Sequence, residues 1–490
     1  MQLITYADRL GGDLQRLRTL LDEEFQGLFD GVHILPFFDP IDGADAGFDP
    51  IDHTRVDSRL GDWNDVHEIA RTYSVMADLI VNHVSVESPQ FRDVLQRGRA
   101  SRHWNLFLKK SDVFPQPDSA SQAEIDLIYR PRPGPPFTEL RLESGDRGHF
   151  WTTFSDRQLD INVEGPAGQA YLESILQRFA RAGVREIRLD AAGYAIKRRG
   201  TSCFMLPETF DFIANLSRQA ADLGIETLVE IHSYYQTQIA IASHVGRVYD
   251  FALPPLVLHS LFTANAAALK RWLAIAPRNC VTVLDTHDGI GIVDVAREGN
   301  QAGLLTDAQV DSLVETIHRK TGGSSLRASG HAASNLDVYQ VNSTFYDALG
   351  RSDTDYLIAR AIQLFSPGTP QIYYVGLLAG GNDIDLVEQT GVGRDINRHY
   401  YTDEDLLQAL GRPVVGSLFE LIRLRSTLPV FDGGFSMPDC PDDELRLRWE
   451  SADAEAELVV SLADREAAID CRINGTQTRY RIRDQFRKLP

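Results

Sequence analysis

Eight short apolar segments, rich in β-branched residues, constrain the fold of this chain more than any other sequence feature. They occupy residues 3–6, 32–37, 76–81, 184–189, 227–231, 248–253, 281–284 and 371–375. Between them, amphipathic helical periodicity marks residues 13–25, 167–182, 208–223 and 353–365. Strands buried on both faces that alternate with helices indicate a parallel sheet. Eight such units predict a (β/α)₈ barrel of the α/β class, with its functional site at the carboxyl ends of the strands.

A doubly wound open sheet is the alternative architecture for alternating strands and helices. Such a sheet would place a glycine-rich phosphate turn after its first strand. Neither a GxGxxG motif nor a P-loop occurs in the chain. The barrel therefore remains our prediction.

Two intervals between the apolar segments are too long to be simple connections. Residues 83–164 contain the run Arg130-Pro131-Arg132-Pro133-Gly134-Pro135-Pro136 and are predicted to form an inserted subdomain B. Residues 290–350 are polar, and we predict a second insertion, subdomain B′, made of long mobile loops. Apolar and polar residues alternate in residues 431–490, which predicts a small antiparallel C-terminal β domain. The barrel would then comprise residues 1–82, 165–289 and 351–430.

The composition excludes several classes of partner. The chain has 490 residues, 69 acidic and 49 basic, and a net charge of −20. A surface this acidic repels nucleic acid and anionic membranes. No run of about 18 apolar residues and no signal-peptide pattern is present. Because the four cysteines also lack CxxC spacing, we expect a cytoplasmic protein with reduced thiols.

Two of the predicted strands end in a carboxylate at the edge where a barrel places its site. In Ile187-Arg188-Leu189-Asp190, Arg188 and Asp190 point to the same side, and the guanidinium should keep Asp190 ionised and ready to act as a nucleophile. In Val229-Glu230-Ile231-His232, apolar surroundings would raise the pKa of Glu230, which suits a general acid. Each motif alone is equally compatible with a structural ion pair or a polar strand end.

A third strand end carries Leu284-Asp285-Thr286-His287-Asp288-Gly289. His287 and Asp288 could bind sugar hydroxyls, and the aspartate could stabilise positive charge. A metal site formed by these two residues with Asp285 and His83 is the alternative, but no HExxH-like pair supports it, so we expect no metal. Three carboxyl groups on separate strands favour glycosyl transfer, and two of them about 5–5.5 Å apart would form a covalent intermediate with retention.

Four of these segments resemble the short motifs of the α-amylase superfamily of glycoside hydrolases and transglycosylases. They are Ala77-Asp78-Leu79-Ile80-Val81-Asn82-His83, Ile187-Arg188-Leu189-Asp190, Val229-Glu230-Ile231 and Thr286-His287-Asp288. The resemblance implies that Asp190 is the nucleophile, Glu230 the acid/base and Asp288 the transition-state stabiliser. It also implies sugar contacts, made by His83, Arg188 and His287. Because Thr286 stands where much of the superfamily has asparagine, general starch degradation is not expected.

Longer segments resemble the sucrose phosphorylase branch of that superfamily, from the N-terminus to about residue 430. They are residues 2–10, 31–38, 42–53, 128–137, 200–205, 229–235, 332–343 and 393–401. The resemblance implies a cofactor-independent hexosyltransferase whose small-molecule partners are sucrose, inorganic phosphate, fructose and α-glucose 1-phosphate. It implies that Asp45, Phe48 and Arg394 complete a glucose pocket. The residues implied to border this pocket or the acceptor site are Phe154, Gln158, Tyr194 and His232.

The same resemblance assigns residues to the acceptor. Arg132 and Tyr339 are implied to receive phosphate, and Asp337 and Gln340 fructose, on a loop that exchanges two positions during the cycle. Phosphate needs such a cation beside carboxylates, and arginine offers a bidentate fork. The alternatives left open are a phosphorylase of sucrose 6′-phosphate, glucosylglycerol or glucosylglycerate, and an α-glucoside hydrolase or transglucosidase. A non-catalytic binding subunit is disfavoured because all three carboxylates are present, and a homodimer is left open.

Overall fold

The centre of the computed structural model, which describes residues 1–43, 45–115, 120–130, 134–330 and 340–489, is a closed barrel of eight parallel strands. In chain order the strands are β1 (Gln2–Thr5), β2 (Gly31–Ile34), β3 (Ser74–Ile80), β4 (Glu186–Asp190), β5 (Glu226–Val229), β6 (Arg247–Asp250), β7 (Cys280–Thr282) and β8 (Thr369–Tyr373). Each strand pairs with the next in the chain, and β8 closes onto β1. The predicted TIM barrel is therefore confirmed, and the doubly wound alternative is wrong.

The register of the barrel brings charged residues of neighbouring strands side by side. Arg188 on β4 pairs with Asp78 on β3 and with Leu228 on β5. Asp190, the last residue of β4, is level with Ile80 at the end of β3. Because the side chains of a strand alternate between faces, Arg188 and Asp190 share one face, next to Asp78.

Helices cover the outside of the barrel. The four predicted helices are confirmed, and those that surround the strands are Leu14–Asp22, Trp63–Ala70, Pro166–Arg181, Pro207–Asp222, Tyr235–Ala242, Leu253–Thr263, Ala267–Ile275, Asp353–Phe365, Asp403–Leu410 and Pro413–Thr427. Their starts follow ordinary capping chemistry. The Asp13 carboxylate caps the first helix by accepting from the Arg16 N–H, and proline opens three others, starting at Pro166, Pro207 and Pro413.

The described residues of the interval 83–164 follow β3 and precede the helix Pro166–Arg181. Its two ends meet because His83–Ser85 pairs antiparallel with Gln158–Asp160. Between them are a hairpin, Phe137–Arg141 with Arg147–Trp151, and the helices Pro89–Arg97, Lys110–Val113 and Gln122–Asp126. An aromatic cluster of Phe91, Phe107 and Phe150 is fully buried inside it.

Residues 290–350 differ from the long loops that we expected. They contain the helices Asp307–Lys320, Ser324–Ser329 and Phe345–Ala348, and the strand Ile290–Gly291 pairs with Gln340–Val341. The expectation is wrong because Thr306 and Gln309 form a capping box that starts a long helix. The buried side of that helix consists of apolar residues at helical spacing, among them Val310, Leu313, Val314 and Ile317. The predominantly polar composition of the interval concealed this narrow apolar stripe.

The C-terminal segment forms one antiparallel sheet, which confirms the prediction of a β domain there. Its six strands are β9 (Gly434–Ser436), β10 (Glu444–Glu450), β11 (Ala454–Ser461), β12 (Glu466–Ile473), β13 (Thr476–Ile482) and β14 (Phe486–Lys488). Alternate residues Leu445, Leu447 and Trp449 are buried, and the Trp449 indole donates to the Phe365 carbonyl at 2.8 Å. The sheet therefore packs against the helix Asp353–Phe365 of the barrel.

Two further expectations concern the cysteines and membrane-spanning helices. All four cysteines, Cys203, Cys280, Cys440 and Cys471, are unpaired. In the parts of the chain that the structure describes, no helix has both the length and the apolar character needed to cross a membrane.

Candidate active site

A cavity lies at the carboxyl ends of the barrel strands. Its lining residues are Asp45, Phe48, His83, Phe154, Asp190, Ala191, Gly193, Tyr194, Phe204, Glu230, Ile231, His232, His287, Asp288, Gln340 and Arg394. Most were predicted from the sequence, including all three candidate catalytic carboxylates. Arg188 and Gln158 are not part of the lining but bond residues that are. The predicted acceptor residues Arg132, Asp337 and Tyr339 lie outside the described residues.

Arg188, which is buried, joins three carboxyl groups beneath the cavity. Its Nη1 lies 2.5 Å from Asp78 Oδ1 and 3.0 Å from Asp190 Oδ1. Its Nη2 lies 3.1 Å from Glu230 Oε1. The other oxygen of Asp78 is 3.0 Å from His33 Nε2, so Asp78 anchors the guanidinium from below. One rigid fork thus fixes the side chains of Asp190 and Glu230 beside each other.

The ionisation of Asp190 differs from our expectation. Burial raises the pKa of its carboxyl well above the usual range, Arg188 opposes this, and Glu230 and Asp78 reinforce it. The direction of this shift is opposite to the effect that we expected from Arg188, because burial opposes the guanidinium and Arg188 is shared among three carboxyl groups. By contrast, His33 and Arg188 outweigh burial at Asp78 and lower its pKa to about 2.

Asp288 is held in the ionised form. Burial alone would raise the pKa of its carboxyl, but the guanidinium groups of Arg394 and Arg398 help to hold it well below its usual range. The most direct of these contacts is from Arg394 Nη1 to Asp288 Oδ1, at 2.8 Å. A carboxylate that keeps its charge in a buried cavity can stabilise positive charge that develops on a substrate.

A short 3₁₀ helix, Gly393–Asn397, holds the segment that carries Asp288 in place. The Asn397 amide donates to the carbonyl oxygens of Thr286 and Asp288, at 3.1 and 2.8 Å. Arg398 follows this turn and donates from Nε to the His287 carbonyl at 2.8 Å. The sequence analysis missed Asn397 and Arg398 as individual residues, although both lie in the segment 393–401 that carries the resemblance.

His287 is the neutral member of this group. Burial lowers the pKa of its imidazole to about 3, so the ring carries no charge at neutral pH. It stacks on Phe48 with 4.9 Å between ring centroids and 9° between planes. The ring can therefore hydrogen-bond a neutral ligand without adding to the charge of the cavity.

The opposite wall combines polar and aromatic side chains. His83 Nε2 lies 3.0 Å from the Phe48 carbonyl and 3.2 Å from Gln158 Nε2, and the Gln158 amide lies 3.4 Å from Asp45 Oδ2. The ring of Phe154 is 5.0 Å from His83 between centroids. Polar atoms at the base with aromatic rings beside them suit a sugar, which presents hydroxyl groups and apolar C–H faces.

Aromatic rings continue from this wall towards the mouth of the cavity. Tyr194 lies 5.0 Å from Phe154 and 4.7 Å from Phe204 between centroids. Tyr129, which is exposed, lies 4.8 Å from Phe204. The sequence analysis did not name Phe204, and its only signal was its position in the segment 200–205.

The charges around the carboxylates argue against a metal site. Glu230, His232 and Asp288 bring potential ligand atoms within 4.8 Å of one another, the only such cluster among the described residues. Two of these residues already pair with guanidinium groups, Glu230 with Arg188 and Asp288 with Arg394. Asp285, a member of the metal alternative, instead pairs with Arg360 at 2.7 Å and does not line this cavity.

Comparisons with known proteins agree with this arrangement. The family model described as the α-amylase catalytic domain matches residues 11–242. A sucrose phosphorylase from Agrobacterium vitis is 57% identical over 471 residues, which cover 96% of each chain. One from Bifidobacterium adolescentis is 51% identical over 94% of this chain and 91% of its own. A crystal structure of sucrose 6F-phosphate phosphorylase from Thermoanaerobacter thermosaccharolyticum superposes with a TM-score of 0.91 at 36% identity, covering 98% and 97% of the chains.

Proposed function

The chain belongs to the sucrose phosphorylase family within the α-amylase superfamily, and we propose that it transfers the glucosyl group of sucrose to inorganic phosphate. The products would be α-glucose 1-phosphate and fructose. The observation that carries the proposal is the guanidinium of Arg188, which holds Asp190 and Glu230 together in a cavity that also contains an ionised Asp288. Two carboxyl groups in this relation support a double displacement with retention.

In the first displacement, Asp190 attacks the anomeric carbon as Glu230 protonates the departing fructosyl oxygen. The C–O bond of sucrose breaks, and a covalent β-glucosyl ester forms on Asp190. Asp190 has to be ionised in order to attack, and Glu230, which contacts the same guanidinium, has to carry the proton that it donates. The two neighbouring carboxyl groups thus act in opposite protonation states, one as nucleophile and one as acid.

In the second displacement, a phosphate oxygen attacks the same carbon from the side that fructose left. Glu230 takes the proton from the attacking oxygen, and the ester bond to Asp190 breaks. In both steps the ring passes through an oxocarbenium-like state, and the carboxylate of Asp288 stabilises its positive charge. Asp288 suits this role because Arg394 and its other basic neighbours keep it ionised in the cavity.

The remaining lining residues would divide between the two sugars. We assign the glucosyl group to the end of the cavity with Asp45, Phe48, His83, His287 and Arg394. The acceptor would lie towards the side with Phe154, Tyr194, His232 and Gln340, with Gln158 supporting His83 from behind. No cofactor is needed, since carboxyl groups supply all the proton transfers. We also propose a cytoplasmic location, in keeping with the unpaired cysteines.

The decisive experiment is incubation of the purified protein with sucrose, with and without phosphate. We expect α-glucose 1-phosphate and fructose in equal amounts when phosphate is present. Glucose release that is independent of phosphate, without any glucose 1-phosphate, would indicate a hydrolase instead. Parallel incubations with sucrose 6′-phosphate, glucosylglycerol and glucosylglycerate test the related phosphorylases, and faster turnover of any of these would replace sucrose as the substrate.

The sequence predicts that Arg132 selects phosphate over water. Arg132→Ala should raise the KM for phosphate about 10- to 100-fold, because a charge-assisted hydrogen bond contributes roughly 1.5–3 kcal/mol. Cleavage of sucrose should change far less, since the first displacement requires no anion. The ratio of glucose to glucose 1-phosphate, measured at fixed phosphate, should rise accordingly.

Arg130→Ala is the matched comparison, two residues earlier in the same proline-rich run. We expect it to retain the KM for phosphate. An unchanged KM and product ratio in Arg132→Ala would move the phosphate site elsewhere, and a large effect in Arg130→Ala would assign it to that residue.

A further inference from the structure

We propose that Asp294 is a positioning residue that orients the ring of His232 and sustains a positive charge on it for an anionic acceptor. The inference deepens the proposed function and rests on it for the identity of the anion, inorganic phosphate. Nothing in the sequence distinguished Asp294, which lies 62 residues from His232 in the chain.

Asp294 is fully buried, and three donors hold its carboxylate. Its Oδ2 lies 3.0 Å from His232 Nδ1. Its Oδ1 accepts from the Ser233 N–H at 3.2 Å and from Gln238 Nε2 at 2.6 Å. A carboxylate fixed by donors on both oxygens cannot rotate, so it dictates which way the imidazole faces. Nδ1–H must point to Asp294, and Nε2 is turned to the opposite side.

The backbone leaves space for this contact. A Cβ atom at Gly291 would overlap Asp294 Oδ2 and lie 3.1 Å from His232 Nδ1. Gly291 belongs to the short strand that pairs with Gln340–Val341, at the end of the predicted acceptor loop. Because Gly291 has no side chain, the Asp294 carboxylate can reach the His232 imidazole. This contact lies between two segments that line the acceptor side.

The other face of His232 is fixed as well. Its ring stacks on Phe251 with 3.7 Å between centroids and 14° between planes. Its Nε2 lies 3.2 Å from the Gln340 amide nitrogen, on the side of the cavity. An amide N–H and a protonated Nε2 cannot both donate across this contact. A second proton on the ring gives Nε2 a hydrogen that the oxygen of an incoming anion can accept.

Three carboxyl groups face His232, those of Asp294, Glu230 and Asp288. Burial alone would lower the pKa of the imidazole, but these groups, Asp294 first, raise it above its ordinary value. The positive charge on His232 is thus present at pH values below the raised pKa and is lost as the pH rises through that pKa. Phosphate needs such a cation because the described lining carries four carboxyl groups, and its one arginine, Arg394, is bound to Asp288.

Asp294→Asn tests the proposal, since asparagine keeps the shape of the side chain and removes its charge. We expect the KM for phosphate to rise about 10-fold or more, while the rate of sucrose hydrolysis without phosphate stays within about threefold. The fall of phosphorolysis at alkaline pH should move to lower pH. Equal losses of hydrolysis and phosphorolysis with an unchanged pH profile would show a purely structural role and overturn the proposal.

Asp383→Asn is the matched control. Asp383 Oδ2 lies 2.6 Å from His399 Nδ1, the same pairing of atoms, and neither residue lines the cavity. This variant should retain the KM for phosphate and the pH profile. If Asp294→Asn does not fold, Gly291→Ala serves instead, because it displaces the Asp294 carboxylate and leaves all charges in place. It should likewise raise the KM for phosphate while sucrose hydrolysis is retained.

Imidazole NMR separates this proposal from the proposed function. The His232 resonance, assigned by its loss in His232→Asn, should titrate at lower pH in Asp294→Asn than in the unmodified protein. Inorganic phosphate should raise the pKa of His232 in the unmodified protein and raise it less in the variant. These readouts need no turnover, so they hold even if sucrose is not the donor. Identical titrations in both proteins would overturn the proposal.

Discussion

Asp190→Ala should abolish turnover of every glucosyl donor, whereas Glu230→Gln should abolish turnover of sucrose alone. Both residues lie on one guanidinium and act as a unit, so we expect each loss to be orders of magnitude in kcat. They differ with α-glucosyl fluoride, because fluoride leaves without protonation. Glu230→Gln should therefore still release fluoride and form the glucosyl-enzyme, a step for which Asp190 is indispensable.

Mass spectrometry of quenched Glu230→Gln provides the measurement. One glucosyl unit should appear on the peptide that contains Asp190, and circular dichroism should show both variants folded. Fluoride release without such an adduct would argue against a covalent intermediate. Near-normal sucrose turnover in either variant would remove that residue from its assigned role.

Arg188→Met should be the most destabilising single substitution in the site. It leaves the buried Asp78 and the largely enclosed Asp190 and Glu230 without their shared cation. Removing one partner of a buried ionic network costs about 3–5 kcal/mol, so we expect a loss of this size in urea unfolding at pH 7. Turnover of sucrose should also disappear, since nothing then fixes the two carboxyl groups.

The loss in the free energy of unfolding caused by Arg188→Met should depend on pH. In the unmodified protein the pKa of Asp78 is lowered to about 2 from an ordinary 3.8. Its contribution to the stability of the folded protein is therefore present at pH values above 3.8 and is lost as pH falls through about 2. Without the guanidinium the carboxyl groups take up protons in the folded state at higher pH. The difference in the free energy of unfolding between the variant and the unmodified protein should therefore shrink as pH falls from 7 towards 4. A difference that is independent of pH would contradict this electrostatic explanation.

Arg247→Met is the matched control for this substitution. Arg247 lies on the next-but-one strand, pairs with Glu186 and Glu226 at 3.0 and 2.9 Å, and has 28% of its side chain exposed. Arg247 is partly exposed, and Glu186 keeps hydrogen bonds from Gln2 and Ser74 when the guanidinium is removed. Stability should therefore fall much less than in Arg188→Met, and turnover should persist. A comparable loss in both variants would mean that burial of the network is not the cause.

Much of the fold could be predicted because the relevant signals are local. Each barrel strand is a run of adjacent apolar residues, and all eight runs became strands. The carboxylates at the ends of β4 and beyond β5 were identifiable because a barrel gathers the ends of its strands. The helix Asp307–Lys320 was missed because a narrow apolar stripe lies within a mostly polar interval.

The glucose pocket was predicted through a resemblance rather than through spacing. Asp45, Phe48, Arg394 and most of the other residues so assigned do line the cavity, although they come from distant parts of the chain. Arg132, Asp337 and Tyr339 lie outside the described residues, and their roles stay predictions.

The sequence by itself determined the barrel, its C-terminal sheet and the identity of the carboxyl groups in the site, because local periodicity and strand ends encode them. Only the tertiary structure decided the electrostatic environment of each carboxyl group. Asp190 has a raised pKa and Asp288 a lowered one, since burial and the charges of residues far apart in the chain set each value. The same holds for Asp294, whose carboxylate reaches His232 only because the fold packs them together in a buried space. Electrostatic free energies depend on distance and burial in three dimensions, and neither quantity is written in the order of the residues.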